Sequence, residues 1–90
     1  MALAGCHKAH SVTLRWQPPL TQAGVSIVGY NVYRSTVSGR QFALLASHVA
    51  RPPYEDKLVT NGRTYLYVVT AVDSKGVESR FSGEARADIP

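Results

Sequence analysis

The segment from Asn61 to Asp73 constrains the fold of this 90-residue chain more than any other part of it. Asn61-Gly62 is a turn dipeptide, and the run that follows alternates with the two-residue period of a strand. Tyr65, Tyr67, Val69 and Ala71 fall on one face, and Leu66, Val68, Thr70 and Val72 on the other. A strand of this length and aromatic content belongs at the centre of a sheet whose inner face is buried.

The remaining chain breaks into shorter strands. Ser11 to Gln17 sets Val12, Leu14 and Trp16 against Ser11, Thr13, Arg15 and Gln17, and Pro18-Pro19 stops it, since neither proline donates to a ladder. Thr21 to Ser26 is a polar connection. Ile27 to Arg34 follows, with Val28, Tyr30 and Val32 expected on one face and Ile27, Asn31 and Tyr33 near the other. Ser38-Gly39-Arg40 marks a turn, Phe42 to Ala46 an edge strand, and Tyr54 to Lys57 a brief strand after Pro52-Pro53. Ser74-Lys75-Gly76 turns into a last strand from about Ser82 to Ile89.

Short strands punctuated every eight to twelve residues, with no helical periodicity, predict an all-β, two-sheet sandwich of about seven antiparallel strands. Sheets about 10 Å apart need large side chains between them, and Trp16 with the tyrosines supplies these. Burying each such ring stabilises by about 1.5–3 kcal/mol. Packing must suffice here, because the lone Cys6 has no partner for an internal disulfide.

Three stretches, Val12-Thr13-Leu14-Arg15-Trp16, Gly29-Tyr30-Asn31-Val32-Tyr33-Arg34 and Asn61 to Val69, together resemble a fibronectin type III domain, an immunoglobulin-like sandwich. The likeness covers residues 10–90. It is closest to bacterial copies, through Tyr30 to Arg34, Ser38-Gly39, Phe42 to Leu45 and Val72 to Ser79. The resemblance implies a core of Val12, Leu14, Trp16, Tyr30, Val32, Val59 (or its neighbour Leu58), Tyr65, Tyr67, Val69 and Ala71. It also makes Tyr65 a tyrosine-corner residue, whose hydroxyl bonds backbone a few residues upstream. Residues 1–9 depart from the family pattern, so the first strand, A, is expected to be short, irregular or missing, an N-terminal extension.

The same resemblance implies a non-catalytic structural or spacer module of a larger secreted, surface or periplasmic protein. Its partners would be neighbouring domains, which opposite-facing termini string like beads. A carbohydrate- or protein-binding accessory is the alternative, acting through the C–F–G sheet. Tyr33, Leu66, Val68 and Val72 are expected on the solvent side of that sheet, more apolar than solubility requires. Contact with a partner or neighbouring domain, weak self-association, and cover by Arg and Lys stems all remain open. If exposed, Tyr33 and Tyr54 would suit stacking on sugar rings, but Tyr54 is expected to be buried.

Other chemistry finds little support. No Gly-x-Ser-x-Gly elbow occurs, and Glu55, Asp56, Asp73, Glu78, Glu84 and Asp88 are scattered at turns and strand ends, so no enzyme activity and no cofactor are expected. Cys6, His7, His10 and His48 do not present a tetrahedral metal set. The net charge of +4 comes from dispersed residues, without the basic stripe that nucleic acid requires. No apolar run reaches the roughly 18 residues of a membrane span, and no complete secretion leader is visible, which leaves a cytoplasmic protein or a piece of a larger one. Leu3-Ala4-Gly5-Cys6 matches the box that precedes lipid attachment, making Cys6 the candidate lipidation site of a membrane-anchored protein.

Overall fold

The computed structural model describes residues 3–8, 11–19, 24–36 and 41–90, with the backbone alone for 6–8. Among them seven strands form: β1 (Leu3–Lys8), β2 (Ser11–Trp16), β3 (Ile27–Ser35), β4 (Ala43–Val49), β5 (Tyr54–Asp56), β6 (Thr64–Asp73) and β7 (Ala85–Asp88). Two antiparallel sheets result, ordered β1-β2-β5 and β4-β3-β6-β7. The predicted Ser38-Gly39-Arg40 turn and most of the Thr21 to Ser26 connection lie outside the described residues.

β6 sits inside the four-stranded sheet, paired with β3 from Ile27↔Asp73 to Ser35↔Leu66. Its inner residues Tyr65, Tyr67, Val69 and Ala71 are buried with Tyr30 and Val32 of β3 and Val12, Leu14 and Trp16 of the facing sheet. Trp16 meets Tyr30 across the sandwich edge-on, ring centroids 5.3 Å apart, a geometry that aligns ring edge with π-face. Val59 and Tyr54 are half-buried and pack against this core, whereas Leu58 is exposed. Asn61-Gly62 turns the chain with Gly62 at φ 78°, a conformation that costs glycine nothing, and Gly62 N–H donates to Ile89 O at 2.9 Å. The Tyr65 hydroxyl accepts from Thr60 N–H at 2.8 Å, five residues upstream, forming the tyrosine corner.

Three expectations change. The first strand is neither short nor missing. β1 pairs with β2 over six positions, from Leu3↔Trp16 to Lys8↔Ser11. Its register comes from β2 rather than from an apolar pattern of its own, and Gly5 lies over Leu14, Ala85 and Val12, where an added Cβ would stand at ordinary contact distance. Residues 1–9 therefore include a paired strand of the sandwich.

Second, Val28 is exposed and Ile27 packs against the core. β3 carries one extra residue between its pairs Ile27↔Asp73 and Gly29↔Val72, a bulge that breaks the alternation on which the sequence reading relied. Third, both faces of β6 are buried: Leu66 and Val68, expected at the solvent, are only 7% and 2% exposed. For the Val68 row the segment between β6 and β7 supplies cover.

Candidate functional site

Beyond the turn at Ser74–Gly76 the chain returns along β6 without at once forming a strand. Ser79 N–H donates to Ala71 O and Ser82 N–H to Val69 O, while the Ser79 and Ser82 hydroxyls accept from Ala71 N–H and Val69 N–H. Two serine side chains thus stand in for the backbone carbonyls that a strand would present here. The last strand accordingly begins at Ala85 rather than near Ser82. Arg80 and Phe81, between the two anchors, loop out.

Phe81 then lies on the outer face of the sheet. Its ring is 5.2 Å from that of Tyr33 and 5.8 Å from that of Phe42. Tyr33 is the register partner of Val68 on one side and of Leu44 on the other, so this ring cluster lies over the row that contains Val68. Of the four residues expected to face solvent, Leu66 and Val68 are buried, and Tyr33 and Val72 are half-buried. The exposed apolar surface here is instead Phe81, at 54%, and Leu44, at 55%. Sequence reasoning passed over Phe81 because it sits at no strand position. Its one signal was an unpaired aromatic between two serines.

Glu78 completes the face. One carboxylate oxygen, Oε2, accepts from the Thr70 hydroxyl at 2.5 Å, the Asn31 amide at 3.1 Å and the Tyr33 hydroxyl. Hydrogen bonds from Thr70, Tyr33 and Asn31, in that order, hold the carboxyl below its ordinary pKa. The Tyr33 phenol is raised, chiefly by its bond to the same carboxylate. Among the described residues nothing donates to Oε1. A shallow depression of about 370 Å³ adjoins Phe81, lined also by Pro19, Ser79, Arg80, Ser82 and Gly83.

A second polar cluster lies on the inner side. Arg34, two register positions beyond Val32 and so on the same face, aims its guanidinium between the sheets and pairs with Asp56 Oδ2 at 2.9 Å. The same Nη1 donates to Leu58 O, and the guanidinium carbon sits 5.1 Å over the Tyr65 ring. Asp56, 1% exposed, also accepts from the Tyr67 hydroxyl at 2.7 Å and from Leu58 N–H at 3.0 Å. Burial, reinforced by the Asp56 bond, pushes the Tyr67 phenol well above its usual range. Every member of this cluster points at another member, which is how a buried ion pair is tolerated. It clamps β3 and β6 of one sheet to β5 of the other.

Among the described residues no three His, Cys, Asp or Glu side chains gather as metal ligands. His48 is exposed, at φ 57° where β4 bulges against β3, His10 lies outside the described residues, and so do the side chains of Cys6 and His7. Cys6 backbone lies mid-strand, opposite Thr13. No helix among the described residues is long and apolar enough to cross a membrane.

No protein-family model matches the sequence. An Fn3-like protein from Clostridium thermocellum superposes with a TM-score of 0.78 at 32% identity, over 99% of this chain and 86% of that one. The chain belongs to the fibronectin type III-like family. Within that family it is similar to a segment of the amylopullulanase of Thermoanaerobacter thermohydrosulfuricus, 52% identical over 60 residues. That match covers 67% of this domain and spans 4% of the enzyme's length. A β-1,2-glucanase from Parabacteroides distasonis contains a similar fibronectin type III-like fold, with TM-score 0.78 and 29% identity over 99% of this chain and 12% of that one.

Proposed function

We propose that this fibronectin type III-like domain is a non-catalytic accessory module of a larger extracellular, polysaccharide-active protein. It holds neighbouring folded units at a set distance and orientation. The observation that carries this reading is the 52% identity to a segment making up 4% of an amylopullulanase. A segment so small within so large an enzyme serves its neighbours. The interior supports the reading: its space is filled by Val12, Leu14, Trp16, Tyr67 and Val69 rather than opened as a cleft. The chain also enters and leaves at opposite ends, since Leu3 pairs beside Trp16 while Ile89 bonds Arg63.

An extracellular setting goes with a polymeric substrate, and lipid attachment at Cys6 adds nothing to it. Maturation ahead of Cys6 would remove Leu3, Ala4 and Gly5, which pair with Trp16, Arg15 and Leu14.

The test is replacement of the domain, in the full-length parent protein, by a flexible linker of equal residue count. Turnover of a short soluble oligosaccharide is expected to stay unchanged, while interdomain distances from small-angle scattering become broader and attack on the polymer weakens. Loss of turnover on the short substrate would overturn the reading, because a spacer has no part in the chemical step.

A further inference from the structure

We propose that the outer-face shelf formed by Phe81 and Glu78 is a binding subsite for a neutral glycan chain. The inference rests on the accessory-module reading above and supplies its ligand. Three observations carry it.

Phe81 is an aromatic ring held out, not tucked in. The serine anchors on either side fix the loop to β6, and the contact with Tyr33 leaves 54% of the residue exposed. A large exposed ring continuous with Phe42 and Leu44 is more apolar surface than one face of a soluble domain needs. A flat ring of this kind matches the C–H face of a pyranose, which is apolar while its edge carries hydroxyls.

Glu78 supplies the polar half. Three donors converge on Oε2, more than are needed to tether a loop, and they lock the carboxylate while Oε1 has no donor among the described residues. An oriented carboxylate oxygen beside a ring is an acceptor for sugar hydroxyls, in charge-assisted bonds. Tyr33 links the two halves, since its hydroxyl bonds Glu78 while its ring packs on Phe81. Arg80 lines the adjoining depression together with Phe81.

Charge selects among glycans. The free acceptor at the subsite is a carboxylate oxygen, which repels a uronate brought onto it and accepts from hydroxyls. A neutral glycan therefore fits Oε1 better than a pectic chain does, although Arg80 stands nearby, and neutral glucans serve as its probes. A protein partner is the competing occupant. It would draw on the apolar rings without requiring the Glu78 oxygen.

The experiment is titration of the ¹⁵N-labelled 90-residue chain with a linear α-glucan oligosaccharide, a β-glucan oligosaccharide and tetragalacturonate, followed by amide chemical shifts. The expected result is saturable shifts from a neutral glucan, confined to Asn31, Tyr33 and residues 78–82. Phe81→Ala and Glu78→Ala are each expected to weaken binding at least about tenfold, with amide shifts on the opposite sheet, β1-β2-β5, unchanged, which shows that the sandwich remains folded. No saturable shift with either glucan, equal binding by the Phe81→Ala chain, or tighter binding of tetragalacturonate would each overturn the subsite. Should the glucans fail to bind while the linker replacement still weakens attack on the polymer, the subsite falls and the spacer reading stands.

Discussion

Asp56 and Glu78 are two carboxylates in one small sandwich, each accepting a tyrosine hydroxyl, and their consequences are opposite. Asp56 is buried between the sheets, 1% exposed, where its carboxylate accepts from Arg34, Tyr67 and Leu58, so solvent replaces a lost partner poorly there. Glu78 lies at the surface, where Tyr33, Thr70 and Asn31 arrange it on the outer face of one sheet. Near-identical chemistry therefore serves cohesion in one place and presentation in the other. Burial decides between them, since the penalty for an unpaired group scales with its removal from water.

The most severe way to break the inner region is Asp56→Ala. It leaves the buried Tyr67 hydroxyl without its acceptor and the Arg34 guanidinium with the Leu58 carbonyl but no counter-charge, and is expected to cost about 3–5 kcal/mol, read from the urea midpoint at unchanged m. Tyr67→Phe removes one charge-assisted bond and keeps the ring, so a loss of about 1.5–3 kcal/mol is expected in the same assay. A loss as small as that of a surface substitution would place the clamp outside the cooperative core. Tyr65→Phe, at the tyrosine corner, frees only Thr60 N–H at an exposed position, and about 0.5–1.5 kcal/mol should be lost.

The outer region gives the smallest effect, and its signature is pH dependence. The folded-state pKa of Glu78 is lowered, so its contribution to stability is complete above the ordinary value of 4.5 and disappears as pH falls through the lower folded value. Urea unfolding of the wild type and of Glu78→Gln should therefore differ slightly at neutral pH and converge in acid. A gap that widened in acid would reverse the assigned role of the Tyr33, Thr70 and Asn31 bonds.

These regions were not equally legible in the sequence. The inner face of β6 was readable because Tyr65, Tyr67, Val69 and Ala71 keep strict alternation, and the tyrosine corner followed from the family resemblance. Arg34 and Asp56 looked like ordinary surface charges. What joins them is the stacking of β5 over the end of β3, and no spacing along the chain encodes it. The outer face misled for a related reason. Leu66 and Val68 alternate as though facing water, yet the Arg80-Phe81 loop, held by serine hydroxyls rather than by apolar pattern, brings Phe81 against Tyr33, the register neighbour of Val68. Alternation reports which side a residue points to, and not what lies on that side.

The pairing of the two end strands also determines how the domain answers tension. β1 begins beside Trp16, and β7 ends beside Thr64, so a pull on the two ends runs nearly along both strands. Every rung of each ladder is then sheared at once instead of being unzipped one by one. The β1–β2 ladder has six paired positions and β6–β7 has four, extended by the Ile89 bonds to Gly62 and Arg63. With that extension the two ladders are of similar length, one in each sheet. Tension on the domain is therefore borne by both sheets together.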